Sequence, residues 1–288
     1  MSRLYAVLRD CLTAEEPVAL ATVIEVSADA GGTTPSPAVP PRVGAKVLVR
    51  SANDILGSLG DPDLDQAVVK DLVGALESGL TGERHYGWRG EISGTSVAVF
   101  IEAFTPAPHM VIFGAVDFTR ALVRVANVLG FRVTVCDARP VFATRVRFPD
   151  SDEVVVDWPD RYLSRIGGQL GPSDAVCVLT HDAKFDVPAI VGALATDVGY
   201  IGAMGSRRTK QDREGRLLEA GVTEKDLSRI MAPIGLDIGA RTPEETAVAI
   251  CAEIIAFRSG SAVASLRDGA GPIHRTPTGG YHQGLAGR

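Results

Sequence analysis

Between His109 and Phe257 short apolar runs alternate with helical stripes, and this alternation constrains the fold more than any other feature of the chain. His109 to Phe113 (HMVIF) and Arg132 to Cys136 (RVTVC) read as strands. Between them Leu122, Val125, Ala126 and Leu129 form one helical face that ends at Gly130. Further strand candidates are Glu153 to Val156, Ala175 to Thr180 and Val198 to Ala203, each with helical sequence beside it. Strands separated by helices run parallel, so this half predicts a Rossmann-like, doubly wound parallel sheet. The last helix carries its own start signal, with Thr242 as N-cap, Pro243 at the first helical position and Glu245 at the third, then an apolar stripe to about Phe257. From Ser259 onward Gly, Ser, Pro and Thr dominate, which predicts a flexible tail over 259–288.

The first hundred residues carry a different signature, that of a small α+β domain. Pro17 to Ser27, Ala45 to Ser51 and Ser96 to Phe104 are rich in β-branched residues and read as strands. The Gly-, Thr- and Pro-rich stretch AGGTTPSPAVPPRVG between the first two predicts a loop of functional length. Leu64, Val68, Leu72 and Leu76 form one helical stripe, started by Asp61 and Pro62 and stopped by Gly79. Thr105-Pro106-Ala107-Pro108 favours an extended connection. The expected organisation is therefore an N-terminal domain over 1–104, a Rossmann-like domain over 105–258 and the tail. A chain of 288 residues with 45% apolar content is long enough for two cores.

Charge and apolar run length exclude some functions. With 29 Lys plus Arg against 35 Asp plus Glu, nothing suggests a basic face for nucleic acid. No run approaches the ~18 to 20 apolar residues of a membrane span, and the opening MSRLYAVLRDCL lacks a signal-peptide core, so a cytoplasmic location is expected. Cys11, Cys136, Cys177 and Cys251 lie far apart without a C-x-x-C pair, and read as small buried apolar residues rather than as disulfide or zinc ligands.

Several short motifs carry candidate chemistry. IFGAVDFTRAL stands where a dinucleotide fold places its glycine-rich phosphate turn, but only Gly114 of the three glycines is present. Val116 and Thr119 hold the other positions, and Asp117 puts a carboxylate at the helix start. Asp137 follows Gly114 by 23 positions, near the spacing of a ribose-binding acid. Two readings stand: dinucleotide binding, or the same fold retained without it. In YIGAMGSRRTK, Gly202 and Gly205 bracket a strand end, Ser206 can cap the next helix, and Arg207 and Arg208 either attract an anion or pair with Asp212 or Glu214. THDAKFD offers His181, Asp182 and Asp186 to a metal or polar ligand, against the alternative that Asp182 caps a helix. In APIGLDIGART, Gly235 and Gly239 flank Asp237, as a ligand loop or a tight turn. In the first domain Arg42 and Lys46 stand on either side of Gly44, with Gly57 and Gly60 in ILGSLGDPDLDQ nearby, as an anion pocket or a pair of β-turns. No catalytic acid, base or nucleophile stands out by spacing.

Taken together, GAKVLV, IFGAVDFTRALVRVANVLGFRVTVCDARPVFA, VLTHD, YIGAMGSRR and PIGLDIGARTPEE resemble the XdhC and CoxI family of molybdenum-hydroxylase accessory factors, over most of residues 18 to 258. The resemblance implies a two-domain protein, usually a homodimer. Such a protein binds molybdenum cofactor, supports its sulfuration and delivers it to a xanthine dehydrogenase or carbon monoxide dehydrogenase type apoenzyme, with a cysteine desulfurase as a further partner. Two departures stand out. The family's N-terminal loop often carries a cysteine proposed to approach molybdenum; Gly57 to Asp65 keeps Gly57, Gly60 and the acid Asp65 but has no cysteine, so sulfur ligation from this loop is excluded. The family's GAGHVG-like turn is GAVDFT, without its later glycines and histidine. Because the cofactor is a polyanion, Arg42, Lys46, Ser206, Arg207 and Arg208 are expected to meet around it across an interdomain cleft, with Gly57, Gly60, Gly114, Asp137, His181, Gly205 and Asp237 completing the site. The competing classes are an NAD(P)-dependent oxidoreductase, disfavoured by the degraded turn, and a docking module for the apoenzyme that holds no cofactor.

Overall fold

The structure, a computed structural model, describes residues 3–27, 41–79, 81–91 and 96–264. Of the loop expected over 30–44, residues 30–40 lie outside the described residues, as does the tail beyond 264. The chain divides between Pro106 and Ala107 into two compact units.

The first unit comprises α1 (Arg3–Ala14), β1 (Val18–Val26), β2 (Lys46–Ser51), β3 (Asp54–Ser58), α2 (Pro62–Ser78), β4 (Gly82–Tyr86) and β5 (Val97–Phe104). Its strands form an antiparallel sheet in the order β3-β2-β1-β5-β4. Side chains alternate between faces along a strand. Ala19, Ala21, Val23, Val47, Val49, Val97 and Val99 therefore share the face that packs on Leu64, Val68 and Leu72 of α2. Asp61 caps α2 by accepting from the Asp63 and Leu64 backbone N–H groups at 2.9 and 3.1 Å, and Gly79, at φ +68°, closes it in a left-handed turn. The other face holds Val18, Leu20 and Leu48 against Leu4, Val7, Leu8 and Cys11 of α1. The unit thus has a second helix, α1, beyond the one that apolar periodicity marks.

The second unit runs β6 (His109–Phe113), α3 (Asp117–Val128), β7 (Arg132–Cys136), β8 (Glu153–Val155), α4 (Pro159–Ile166), β9 (Ala175–Val178), α5 (Ala183–Leu194), β10 (Tyr200–Ala203), α6 (Arg207–Glu219), α7 (Glu224–Leu227), β11 (Ile230–Met231) and α8 (Pro243–Ser259). All strand pairs are parallel, in the order β11-β10-β9-β6-β7-β8. Met110, Ile112, Val133, Val135 and Cys177 face α3 and α8; Val111, Phe113, Val176, Val178 and Ile201 face α4, α5 and α6. The doubly wound parallel sheet is thus present, with a dinucleotide-fold strand order whose direction reverses between β6 and β9. Two interior strands are shorter than expected: β9 stops at Val178 and β10 starts at Tyr200, and Leu179 and Thr180 enter a loop.

Candidate functional site

The carboxyl edge of the parallel sheet gathers every motif singled out in the second unit. After β6, Gly114 turns at φ +111°, where a Cβ would stand 2.6 Å from Thr180 Cγ2 and 3.1 Å from Thr180 N, so only glycine lets the β6 and β9 loops approach this closely. A small crevice here is lined by Phe113, Gly114, Cys136, Asp137, Thr180 and Phe185 among others. This is the switch point where open α/β sheets bind ligands.

The dinucleotide features are closed from within. Asp137 Oδ2 accepts from the Ala115 N–H (2.8 Å) and Arg139 Nη2 (2.7 Å), while Oδ1 accepts from Arg139 N and Nε, both at 2.9 Å. Burial opposes charge on Asp137, but the Arg139 guanidinium and the backbone donors outweigh it and hold the carboxyl below its ordinary range. Arg139 is fixed in turn over Phe142 (4.6 Å) and Phe185 (5.6 Å). Thr119, at the third glycine position, is buried, and its hydroxyl donates to the Gly114 carbonyl. Asp117 does not cap α3. Val116 is the N-cap, with no side-chain bond, and Asp117 is exposed, 3.8 Å from Arg147 Nη2.

After β9 the THDAKFD residues separate. His181 is exposed, and Asp182 caps α5 by accepting from the Lys184 N–H at 3.2 Å. Asp186 is buried, receives the Thr180 hydroxyl and pairs with Arg213 Nη2 at 2.9 Å, both side chains being 4% exposed. Burial pushes the Asp186 carboxyl up, against the hydrogen bonds from Thr180 and Arg213. The three residues do not converge, and no group of metal-ligating side chains occurs among the described residues.

After β10, Gly205 turns at φ +148° into α6, which Ser206 caps by accepting from the Thr209 N–H at 3.1 Å. Arg207 and Arg208 are exposed at the helix start, and among the described residues neither forms an ion pair; it is Lys210 that reaches Glu214, at 3.6 Å. Arg213 returns from further along α6 to donate from Nη2 to the Met204 carbonyl at 2.6 Å. Beyond β11, Gly235 is pinned by its N–H to Glu253 Oε2 (2.9 Å), the carboxylate that also accepts from Tyr200 OH, while Asp237 and Gly239 are exposed.

In the first unit, Lys46 Nζ donates to Thr22 Oγ1 at 2.6 Å, and a Cβ on Gly57 would collide with the Lys46 carbonyl. Asp65 organises the following turn, accepting from the Leu59 N–H and Ser58 Oγ at 2.6 Å each, and Gly60 packs on Pro41, next to Arg42. These candidates share one end of the β2–β3 hairpin, with Arg42, Lys46, Gly57 and Gly60 exposed. All four cysteines are buried; burial pushes the Cys136 thiol up to about 12 and raises Cys177 as well, so neither is a ready nucleophile. Sequence reading missed Arg139, Thr180 and Arg213.

Comparison with known proteins places these features in context. Residues 110–254, half of the chain, match the family model described as the XdhC Rossmann domain, and residues 11–87 match that of the XdhC and CoxI family. A probable xanthine dehydrogenase subunit of Bacillus subtilis (strain 168) is 36% identical over 166 residues, 57% of this chain and 47% of that protein. The molybdenum cofactor insertion chaperone PaoD of Escherichia coli (strain K12) is 30% identical over 99 residues, 34% of this chain and 31% of that protein. The crystal structure of a xanthine dehydrogenase from Bacillus halodurans aligns with a TM-score of 0.48 at 20% identity, covering 87% of this chain and 94% of that one. The chain spans less than half the length of these curated relatives.

Proposed function

The chain belongs to the XdhC and CoxI family, and on that premise we propose that it is an accessory factor that binds molybdenum cofactor, supports its sulfuration and assists its insertion into a xanthine dehydrogenase or carbon monoxide dehydrogenase type hydroxylase. The observation that carries the binding step is the start of α6. There Arg207 and Arg208 present two cations with no carboxylate partner among the described residues. The Ser206 hydroxyl and carbonyl accept from Thr209 and Lys210, leaving the earlier helical N–H groups for an anion. An exposed grip of this kind suits a carrier, since cargo held at the surface can pass to an apoenzyme that docks over it. The role needs no catalytic residue, and none is assigned. The partners in this reading are the apoenzyme, a cysteine desulfurase and a second copy of the chain, and the site of action is the cytoplasm.

The bonds within the crevice weigh against an NAD(P)-dependent oxidoreductase. A ribose would have to displace Arg139 from both Asp137 oxygens, and a diphosphate would have to recover the Ala115 N–H from the same carboxylate.

The test is to mix the protein with molybdenum cofactor, separate by size exclusion and assay the protein peak for molybdenum and oxidised-pterin fluorescence. Near-stoichiometric co-elution is expected, and Arg207→Ala with Arg208→Ala should weaken retention roughly tenfold while leaving the fold intact. A folded protein peak without cofactor, with intact cofactor recovered elsewhere, overturns the carrier reading and leaves a docking module.

A further inference from the structure

Arg213 is only 3% exposed, yet its Nε and Nη1 atoms have no hydrogen-bond partner among the described residues. Nη2 alone is engaged, by Asp186 and the Met204 carbonyl. A guanidinium carries one N–H on Nε and two on Nη1, so three buried donors are unmet. Burying a donor without a partner forfeits its bond to water, and folded proteins keep such groups where a ligand or an ordered water meets them.

The position of this guanidinium narrows the choice. Helical side chains lean toward the N-terminus of their own helix, and Arg213 follows this rule, reaching back from within α6 to the loop that precedes the helix. A Cβ on Gly205 would stand 3.6 Å from Nη2, so the cation lies directly beside the residue that opens the capped turn. Asp186 receives the Thr180 hydroxyl on one oxygen and Nη2 on the other, and neither Nε nor Nη1 reaches it. A fixed cation with unmet donors thus adjoins a 13-residue helix whose first N–H groups and two exposed arginines favour negative charge.

We propose that the Arg213 guanidinium and the first turn of α6 form a binding site for a tetrahedral oxyanion, specifically a phosphate group, at the carboxyl ends of β9 and β10. Arg213 bridges Asp186 and the ligand, Nη2 holding the carboxylate while an unmet donor of the same guanidinium meets a phosphate oxygen. The inference deepens the carrier reading by naming the part of the cargo gripped by this unit, and rests on that reading only for what bears the phosphate.

The test titrates the full chain with inorganic phosphate at constant ionic strength while following the Arg213 Nε–H resonance, assigned through its own side-chain carbons. A saturable shift is expected, with at least a tenfold loss of phosphate affinity in Arg213→Lys if that variant folds. Should Arg213→Lys not fold, the titration of the native chain decides. An Nε–H resonance unmoved at millimolar phosphate, as ordered water on these donors would give, overturns the site. If that chain still co-elutes with cofactor, the carrier reading survives the loss. A saturable shift in a chain that retains no cofactor supports the site and assigns the phosphate to another bearer.

Discussion

His109, 7% exposed, shows how a single buried side chain contributes to the response to acid. Its Nε2 lies 2.9 Å from Thr134 Oγ1 and Arg132 Nη2 lies 3.1 Å from its Nδ1, an arrangement suited to the neutral ring. Burial, aided by the Arg132 charge, lowers its pKa to about 4. The unfolded chain, with an ordinary value near ~6.5, binds the extra proton between those two limits, so stability is complete above the upper one and is lost as pH falls toward the lower. Native protein should lose about 2 kcal/mol between pH ~7 and ~5 through this group, and His109→Gln should remove that part of the slope. Urea midpoints at both pH values check it, and equal slopes in the two proteins would refute it. Capping residues such as Asp61, Ser206 and Thr242 were legible in the sequence because a cap acts within one turn. Arg213 was not, because it sits in the polar run RRTKQDREG and its burial depends on Asp186, 27 positions away. The same non-locality hid Arg139, whose role depends on the ring of Phe185, 46 positions away, being brought beside it.

Elements were legible where their pattern exceeded their charge. β1, β2, β5 and the strands β6, β7 and β9 are apolar runs that read directly, and α8 was marked by a capping box that the structure forms in full, with Thr242 and Glu245 bonded reciprocally. Thr242→Ala should cost about 1 kcal/mol, read as a lower urea midpoint with unchanged m value. The edge strands β3 and β4 escaped because a five-residue edge strand exposes alternate positions and can carry charge, as Glu83 and His85 do. α1 escaped because Arg9 and Asp10 interrupt its stripe of Leu4, Val7, Leu8 and Cys11 when read linearly. The turn between β6 and α3 gives the sharper test. Gly114→Ala forces a positive φ on an L side chain and drives a methyl against Thr180, and should cost about 3 kcal/mol. A midpoint within error of the parent would show that the two loops part easily and that their approach does not depend on glycine.

At the scale of the whole molecule, the two units keep separate cores. Leu72 belongs to the one beneath α2 and Ile190 to the one between the parallel sheet and α5, and both are fully buried. The class of each half was legible because period and length differ: strands near one helix in the first, strands interleaved with helices in the second. Where the halves behave as domains is a separate matter from where the chain can be divided, since domains must also unfold on their own. If the division at Pro106 and Ala107 marks a domain boundary, calorimetry of the full chain should resolve two transitions. Leu72→Ala and Ile190→Ala, each costing about 3 kcal/mol, should lower one transition apiece, and not the same one. Both substitutions moving a single common transition would mean that the units fold as one cooperative body, and the two-domain organisation would then have to be abandoned.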